Sequence, residues 1–140
     1  MVLALSPTRI EMEGVFQITG WDETPYLENT DGSKKSHAKI TQSYTGAIVG
    51  NSDIQYLMSY QADGSAVFVG LETITGTIEG RSGTVTLQHN GQFINGVASS
   101  EFVIVASSGT DELAAMLGQG SFISGEAGTA NYQLNLEINE

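Results

Sequence analysis

Glu72 and His89 are the two side chains whose types and spacing could perform chemistry together. His89 lies on the apolar face of a run that alternates apolar and polar residues, together with Val85 and Leu87. Glu72 shares the parity of Phe68 and Ile74 on the preceding run. A carboxyl group beside an imidazole in an enclosed space can take up and release a proton. The same two groups can instead form a buried hydrogen bond that holds two strands in register, which is the commoner role for a pair without a third group.

One predicted hairpin turn places Glu72 and His89 opposite each other. The residues Glu79-Gly80-Arg81-Ser82 suit a tight turn with Gly80 and Arg81 at its tip. Residue 79 then pairs with residue 82, and counting back along the two strands brings Glu72 directly opposite His89. Because side chains alternate across a strand, both are expected to point into the interior.

The preceding turn supports the same inner face. Ala62-Asp63-Gly64 suits a three-residue loop with the glycine in the left-handed conformation. The ladder that leaves this loop sets Tyr56 opposite Gly70. A large ring is therefore expected to face a residue without a side chain, which leaves room for it.

The turn at Asn95-Gly96 determines what lies on the other side of His89, and we expect a bulge or a shifted register there. If Ile94 does pair with Val97, Phe102 falls opposite His89. An enclosed space of this kind can bind a small ligand. The side chains expected to contact that ligand are Glu72, His89, Tyr56, Tyr60, Phe102 and Trp21.

The segment from Trp21 to Tyr26 leaves the first predicted strand with two aromatic and two acidic side chains. We expect it to plug one end of the fold, and a lid over the mouth of the cavity is the alternative. It begins a stretch, residues 22–36, whose polar second half lacks periodicity. That stretch predicts one long loop.

The elements that must position these side chains are strands. Seventeen glycines recur between short runs rich in Val, Ile, Thr, Phe and Tyr, and the chain has only two prolines. One stretch, 110–118, has acidic residues first, helix formers next and glycine last, which predicts a short helix or helical turn. The predicted strands cover residues 9–19, 36–49, 52–61, 65–78, 83–94, 96–107, 119–124 and 129–138.

An even number of antiparallel strands favours closure, because a closed sheet has no free edge. The fold class predicted is all-β: a single eight-stranded antiparallel β-barrel, with an open sandwich as the alternative. At 140 residues the chain fits one domain, residues 1–140, with a core large enough to need no disulfide or metal.

Charge and composition argue against several partners. Sixteen acidic and five basic side chains give a net charge of −11, which repels nucleic acid and anionic membranes. We expect no metal and no cofactor, since His37 falls on a polar outer face and one inward histidine lacks enough companion ligands. Met1 to Ser6 is too short for the apolar core of a signal peptide, so a soluble cytoplasmic protein is expected.

Two runs also carry apolar residues on the face that should point outward. Val67, Val69 and Leu71 lie on one predicted strand, and Val103 and Val105 lie on another. An apolar outer face of a sheet is usually covered by a helix or a second subunit. The expected partner is a second copy of the chain, which makes the protein a homo-oligomer.

Nine short motifs follow one another along the chain: Trp21-Asp22-Glu23, Pro25-Tyr26, Tyr56-Leu57-Met58-Ser59-Tyr60, Asp63-Gly64, Phe68-Val69-Gly70-Leu71-Glu72, Gly80-Arg81-Ser82-Gly83, Leu87-Gln88-His89, Ser108-Gly109-Thr110 and Glu112-Leu113. In order and spacing they resemble a family of uncharacterised bacterial proteins of about this length, and the resemblance covers nearly the whole chain. It implies the eight-stranded barrel shared with plant allene oxide cyclase and dirigent proteins, whose relatives bind apolar molecules and often form dimers or trimers. It implies no assigned activity and transfers no catalytic residue.

Three functions are compatible with the sequence. The first is a barrel that binds a small, mostly apolar molecule in its cavity, with Glu72, His89 and Tyr56 as polar contacts. The second is an isomerase or cyclase in which Glu72 and His89 transfer a proton while the barrel holds the substrate. The third is a structural, oligomeric barrel that is fully packed and binds no ligand.

Overall fold

The computed structural model describes residues 8–138, which form a closed barrel of eight antiparallel strands. Each strand pairs with its neighbours in the chain, and pairing of the first strand with the last closes the sheet. The predicted fold class is confirmed. The strands are β1 (Thr8–Glu28), β2 (Lys34–Gly46), β3 (Ile48–Tyr60), β4 (Ala66–Ile78), β5 (Arg81–Ile94), β6 (Val97–Ile104), β7 (Met116–Ser124) and β8 (Thr129–Ile138).

The segment Met1 to Ser6 lies outside the described residues. Within the part of the chain that the structure describes, no helix is long and apolar enough to cross a membrane.

The two ends of the barrel differ. At the closed end, the segment between β6 and β7 runs along the edge of β5, where the Thr110 amide donates to the carbonyl of Thr84 at 2.9 Å. Its 3₁₀ turn, Asp111–Leu113, carries Leu113 into the core with no exposed surface. The other end, where residues 29–33, 61–65, 95–96 and 125–128 form the turns, is called the open end below.

The long loop predicted for residues 22–36 was wrong. β1 continues to Glu28 and β2 starts at Lys34, so residues 29–33 alone make the turn. The apolar alternation is missing there because this part of the β1–β2 hairpin reaches past the end of β8, whose pairing with β1 stops at Gln17. In this part of β1, residues 22–28, only Glu23 is partly buried and the others are exposed, so little apolar surface is needed.

The short helix predicted near 110–118 is present only as the 3₁₀ turn at Asp111–Leu113. Asp111 has a positive φ of 53°, which does not continue a right-handed helix. Met116 and Leu117 belong to β7 instead, because they pair with Ile138 and Glu137 of β8. A backbone ladder thus replaces the second half of the predicted helix.

The turn between β4 and β5 differs from the prediction by one residue. Its tip is Glu79-Gly80, with Ile78 paired with Arg81. Both tip residues have positive φ, 50° and 74°, as a two-residue turn of type I′ requires. The turn at Asn95-Gly96 is of the same kind, with φ of 53° and 80°, and it needs no bulge.

The corrected turn moves the β4–β5 ladder by two residues. Glu72 lies opposite Leu87, and His89 lies opposite Gly70, so the predicted direct pairing of Glu72 with His89 was wrong. Both side chains still point inward, because a shift of two residues preserves the face of a strand. The conditional placement of Phe102 opposite His89 is confirmed.

The predicted pairing of Tyr56 with Gly70 is confirmed. A Cβ atom at Gly70 would lie 2.7 Å from Cδ1 of Tyr56 and 2.0 Å from the carbonyl oxygen of Gln55. The interior of an eight-stranded barrel is only just wide enough for its side chains, so large rings need such gaps. The same arrangement recurs where Phe68 covers Gly91, Phe102 covers Gly120 and Tyr132 covers Gly14.

Gly70→Ala is therefore expected to lower the free energy of unfolding by about 2–3 kcal/mol, because the added methyl group overlaps a backbone carbonyl and a ring. Chemical denaturation measures the change. The control is Gly125→Ala, where the nearest atom is the Thr129 hydroxyl at 3.3 Å and the change should stay within about 1 kcal/mol. Equal effects of the two substitutions would contradict this account of the packing.

Candidate functional site

Eight rings, one from each strand, meet inside the barrel and are called the ring layer below. All are buried, and edge or tilted contacts with centroids between 4.6 and 5.7 Å apart join them into one connected set. His89 contacts three of the others. The members of the layer are Phe16, Tyr44, Tyr56, Phe68, His89, Phe102, Phe122 and Tyr132.

A hydrogen-bonded polar network runs through this layer. The Tyr44 hydroxyl donates to Oε2 of Glu72, and Nε2 of His89 lies 2.6 Å from Oε1 of the same carboxyl group. On its other side, Nδ1 of His89 lies 2.9 Å from the Ser100 hydroxyl. The polar network consists of these four residues, which come from β2, β4, β5 and β6. It joins strands on different sides of the barrel.

Glu72 and His89 meet as a diagonal pair. Glu72 is two residues along β4 from Gly70, the residue opposite His89, and diagonal neighbours are within reach of long side chains. Their side chains are almost fully shielded, with about 1% of each exposed. Nε2 of His89 and Oε1 of Glu72 therefore share one buried hydrogen bond, in which the imidazole is the donor to an ionised carboxylate.

The hydroxyl of Tyr44 is the second hydrogen-bond donor to the carboxyl group of Glu72. Burial raises the pKa of Tyr44 well above its usual value, and the negative charge of Glu72 raises it further. Tyr44 therefore keeps its proton and donates a hydrogen bond to Glu72. With two donors on its two oxygens, the buried carboxylate has the partners that a buried charge needs.

The order carboxylate, imidazole and hydroxyl is also that of nucleophilic hydrolases. Here, however, the Ser100 hydroxyl is buried and lies 3.1 Å from the carbonyl oxygen of Glu101 and 3.4 Å from that of Asn90. It does not line the pocket at the open end. The arrangement satisfies buried polar groups, and it presents no nucleophile to that pocket.

An apolar pocket of about 270 Å³ lies at the open end. Four members of the ring layer line it, and Glu72 and His89 do not. These four rings thus lie between the pocket and the pair formed by Glu72 and His89. The lining residues are Phe16, Ile18, Trp21, Ile40, Gln42, Tyr56, Met58, Phe68, Phe93, Gly96, Ala98, Phe122, Ser124, Gly125, Gly128, Thr129 and Ala130.

Two polar atoms on the wall of this pocket have no hydrogen-bond partner among residues 8–138. They are Oε1 of Gln42 and the hydroxyl of Tyr56, and both side chains are 4% exposed. Burying a polar group without a partner costs about 1–3 kcal/mol. Ser52 carries a third unpartnered hydroxyl, which lies outside the pocket lining.

A second group of polar side chains, called the rim cluster, borders the pocket. Glu23 accepts hydrogen bonds from Nε1 of Trp21 at 3.0 Å, from the Tyr60 hydroxyl at 2.7 Å and from the hydroxyl of Ser36. Burial alone would raise the pKa of Glu23, but these three hydrogen bonds outweigh it and the net pKa lies below the usual value. The charged carboxylate ties β1 to β2 and β3 at the open end.

The six predicted ligand contacts fall into three places. Tyr56 and Trp21 line the pocket, and Trp21 is about half exposed (48%) as part of β1, neither a plug nor a separate lid. Tyr60 belongs to the rim cluster. The remaining three, Glu72, His89 and Phe102, lie within the ring layer and the polar network, outside the pocket lining.

The sequence reasoning missed Gln42, Tyr44 and Ser100. A signal for Gln42 and Tyr44 was present, because the outward parity of His37 along this strand puts both on the inner face. Ser100 shares the parity of the inward residue Phe102 in the same way. In the described part of the chain, no three His, Asp or Glu side chains lie close enough to hold a metal ion.

Comparisons with known proteins add the following. The family model described as "Protein of unknown function (DUF3224)" matches residues 12–136. No curated protein matches the chain. A crystal structure of a protein with unknown function from the DUF3224 family of Shewanella oneidensis MR-1 is similar, with a TM-score of 0.75 and 25% identity over 96% of this chain and 98% of that one.

The polar network generates a prediction about stability. Glu72→Gln should lower the free energy of unfolding by about 1–3 kcal/mol, because an amide cannot accept on both sides and its NH₂ group then meets a donor. Tyr44→Phe should have a smaller effect of the same sign. In the double variant the two costs should not add, because both substitutions alter the same hydrogen bond: Tyr44→Phe removes its donor, and Glu72→Gln replaces its charged acceptor with a neutral amide.

Chemical denaturation of the two single variants and the double variant measures this coupling. Tyr26→Phe is the matched control, since Tyr26 is 60% exposed and its hydroxyl should contribute nothing measurable. Strictly additive costs for Glu72→Gln and Tyr44→Phe would contradict the hydrogen bond between these residues.

Proposed function

The chain belongs to the DUF3224 family of proteins of unknown function, and from its site we propose that it binds a small, mostly apolar molecule in the open-end pocket. One observation carries the proposal: the pocket wall is apolar but holds two buried polar atoms without partners. Ligand pockets are typically built this way, with apolar walls and a few polar groups that orient the ligand.

The size of the pocket suits a compact molecule. An apolar cavity of about 150 Å³ holds benzene, and this pocket of about 270 Å³ is larger. The ring layer supplies a floor made of Phe16, Tyr56, Phe68 and Phe122. A molecule with one or two rings matches both the volume and the aromatic surface.

Two observations favour a binding protein over an isomerase or cyclase that uses Glu72 and His89. These side chains do not line the pocket, and rings of Tyr56 and Phe122 contact His89 from the pocket side. Both are also held by partners within the protein. A proton-transfer group needs to come within hydrogen-bond reach of its substrate.

The pocket is also an argument against the third possible function, a structural barrel that is fully packed and binds no ligand. The half of the interior near the closed end is filled by aliphatic side chains such as Ile74, Ile78 and Val85, which have no exposed surface. Beyond the ring layer this filling stops, and Ala98 and Ala130 face the space instead of larger residues. Small residues at these positions leave the volume for a ligand.

Binding should be visible in the fluorescence of Trp21, the only tryptophan of the chain, because it lines the pocket and is half exposed. We expect a saturable change in its emission when the protein is titrated with cyclooctane. Ala98→Phe should fill the pocket and weaken binding at least about tenfold.

The matched control for that experiment is Val97→Phe. Val97 is adjacent to Ala98 and 41% exposed, and as its neighbour along the strand it points to the outer face. This variant should bind as the parent protein does. Equal binding by Ala98→Phe and the parent would show that the probe sits elsewhere, and absence of any saturable signal would contradict the proposal.

A second proposal concerns the outside of the barrel. We propose that two copies of the chain pack through an outer apolar patch on β3 and β4, formed by Leu57, Val67, Val69 and Leu71. Each of these side chains is more than half exposed, and Leu57 lies directly opposite Val69. Contiguous apolar surface of this kind usually marks an interface.

The distribution of charge favours a second copy as the partner. The chain carries a net charge of −11, so two copies repel each other unless charged surfaces stay apart. The outward side chains of residues 67–77 and 82–92 include no charged residue, and Glu72 points inward. On β3, the outward carboxylate of Asp53 is four residues along the strand from Leu57 and pairs with Thr73, outside the patch. A two-fold axis through this patch brings uncharged surfaces together.

Sedimentation velocity at micromolar concentration should show a dimer. Val69→Glu should produce a monomer, because it places like charges in the contact. Thr75→Glu introduces the same charge on the same face of β4 but outside the patch, and it should leave the dimer intact. A monomeric parent protein, or a dimer that survives Val69→Glu, would count against this interface.

A further inference from the structure

We infer that the ligand of the open-end pocket is a neutral alcohol or phenol, an apolar body with one hydroxyl group, and that carboxylates are excluded. This inference rests on the proposed binding function and specifies the chemical class of the ligand. It is drawn from the charges and the unpartnered atoms around the pocket.

The pocket provides nothing that would hold an anion. None of its lining residues carries a charge. Two carboxylates act on lining residues: the charge of Glu72 acts on Tyr56, and Glu23 at the rim bonds to Trp21. The ammonium group of Lys34 is also at the rim, 4.8 Å from the ring centroid of Tyr60, but it lies outside the lining and its charge acts on Glu23. A carboxylate ligand would lose its hydration without gaining a cation from the pocket wall, and it would meet the negative charges of Glu72 and Glu23.

The pocket does provide hydrogen-bond capacity for a neutral group. The unpartnered oxygen of Gln42 can accept a hydrogen bond. The unpartnered Tyr56 hydroxyl can donate or accept. Burial, followed by the charge of Glu72, raises the pKa of Tyr56 well above its usual value, so this phenol stays protonated.

A hydroxyl group matches this pair of residues best. It donates to the Gln42 oxygen and accepts from Tyr56, whereas a hydrocarbon leaves both atoms unpartnered and an ether or ketone can only accept. Sites with buried hydrogen-bonding groups discriminate strongly against analogues that cannot pair with them. Gln42 and Tyr56 therefore lower the stability of the ligand-free protein and make its binding selective for a ligand with a hydroxyl group.

Three probes with one carbon skeleton test the inference: cyclooctane, cyclooctanol and cyclooctanecarboxylate. Affinities are measured by Trp21 emission and checked by NMR shifts of the Ala98 and Ala130 methyl groups. We expect the carboxylate to bind at least about tenfold more weakly than the alcohol. We expect Tyr56→Phe and Gln42→Leu each to reduce the ratio of alcohol to hydrocarbon affinity by about tenfold.

Ser52→Ala is the matched control, because it removes a buried unpartnered hydroxyl outside the pocket lining and should leave that ratio unchanged. If cyclooctane binds but neither pocket substitution changes the ratio, the hydroxyl inference is overturned while the binding function stands. A carboxylate that binds as tightly as the alcohol overturns it as well. If none of the three probes binds, both the inference and the proposed function fail.

Discussion

The narrow interior of an eight-stranded barrel is the constraint on which the rest of this structure depends. Each strand contributes one ring to the ring layer, and contacts between neighbouring rings join all eight into one set. The large rings fit because several of them lie over glycines on neighbouring strands, which have no side chain, as Tyr56 lies over Gly70. The ring layer then divides the interior into a filled half and a half with free volume.

Placing a carboxylate within such a layer requires partners from several directions. Glu72 finds them on β2 and β5, and His89 passes the connection on to Ser100 on β6. Because every member is hydrogen-bonded, the network can lie in a nearly dry interior at little cost, and it specifies how four strands align. The chemical groups that look most reactive in isolation are therefore the ones most fully occupied by the protein itself. Of the three buried polar atoms without partners among the described residues, those on Gln42 and Tyr56 lie on the pocket wall and that on Ser52 does not.

Prediction from the sequence succeeded where local rules determine which face of a strand a side chain lies on. It failed where pairing with strands distant in the chain determines the secondary structure of a segment. Strand alternation put Glu72, His89, Tyr56 and Phe102 on the inner face, and that holds although one turn was placed one residue too late. The error changed which residue lies opposite which, but the period of two preserved the face. The loop at 22–36 and the helix at 110–118 were misjudged because backbone pairing with β2 and with β8 gives these segments strand structure that their own composition does not favour.

What the sequence alone determined is the class of fold, the inner face of most strands, and the presence of a carboxyl and an imidazole inside. Those follow from alternation, turn residues and chain length, which are local properties. The tertiary structure decided that Glu72 and His89 are enclosed behind rings and that Gln42 joins Tyr56 on a pocket wall. No sequence rule contains these facts, because they depend on how side chains from strands far apart in the chain fill one shared and limited volume.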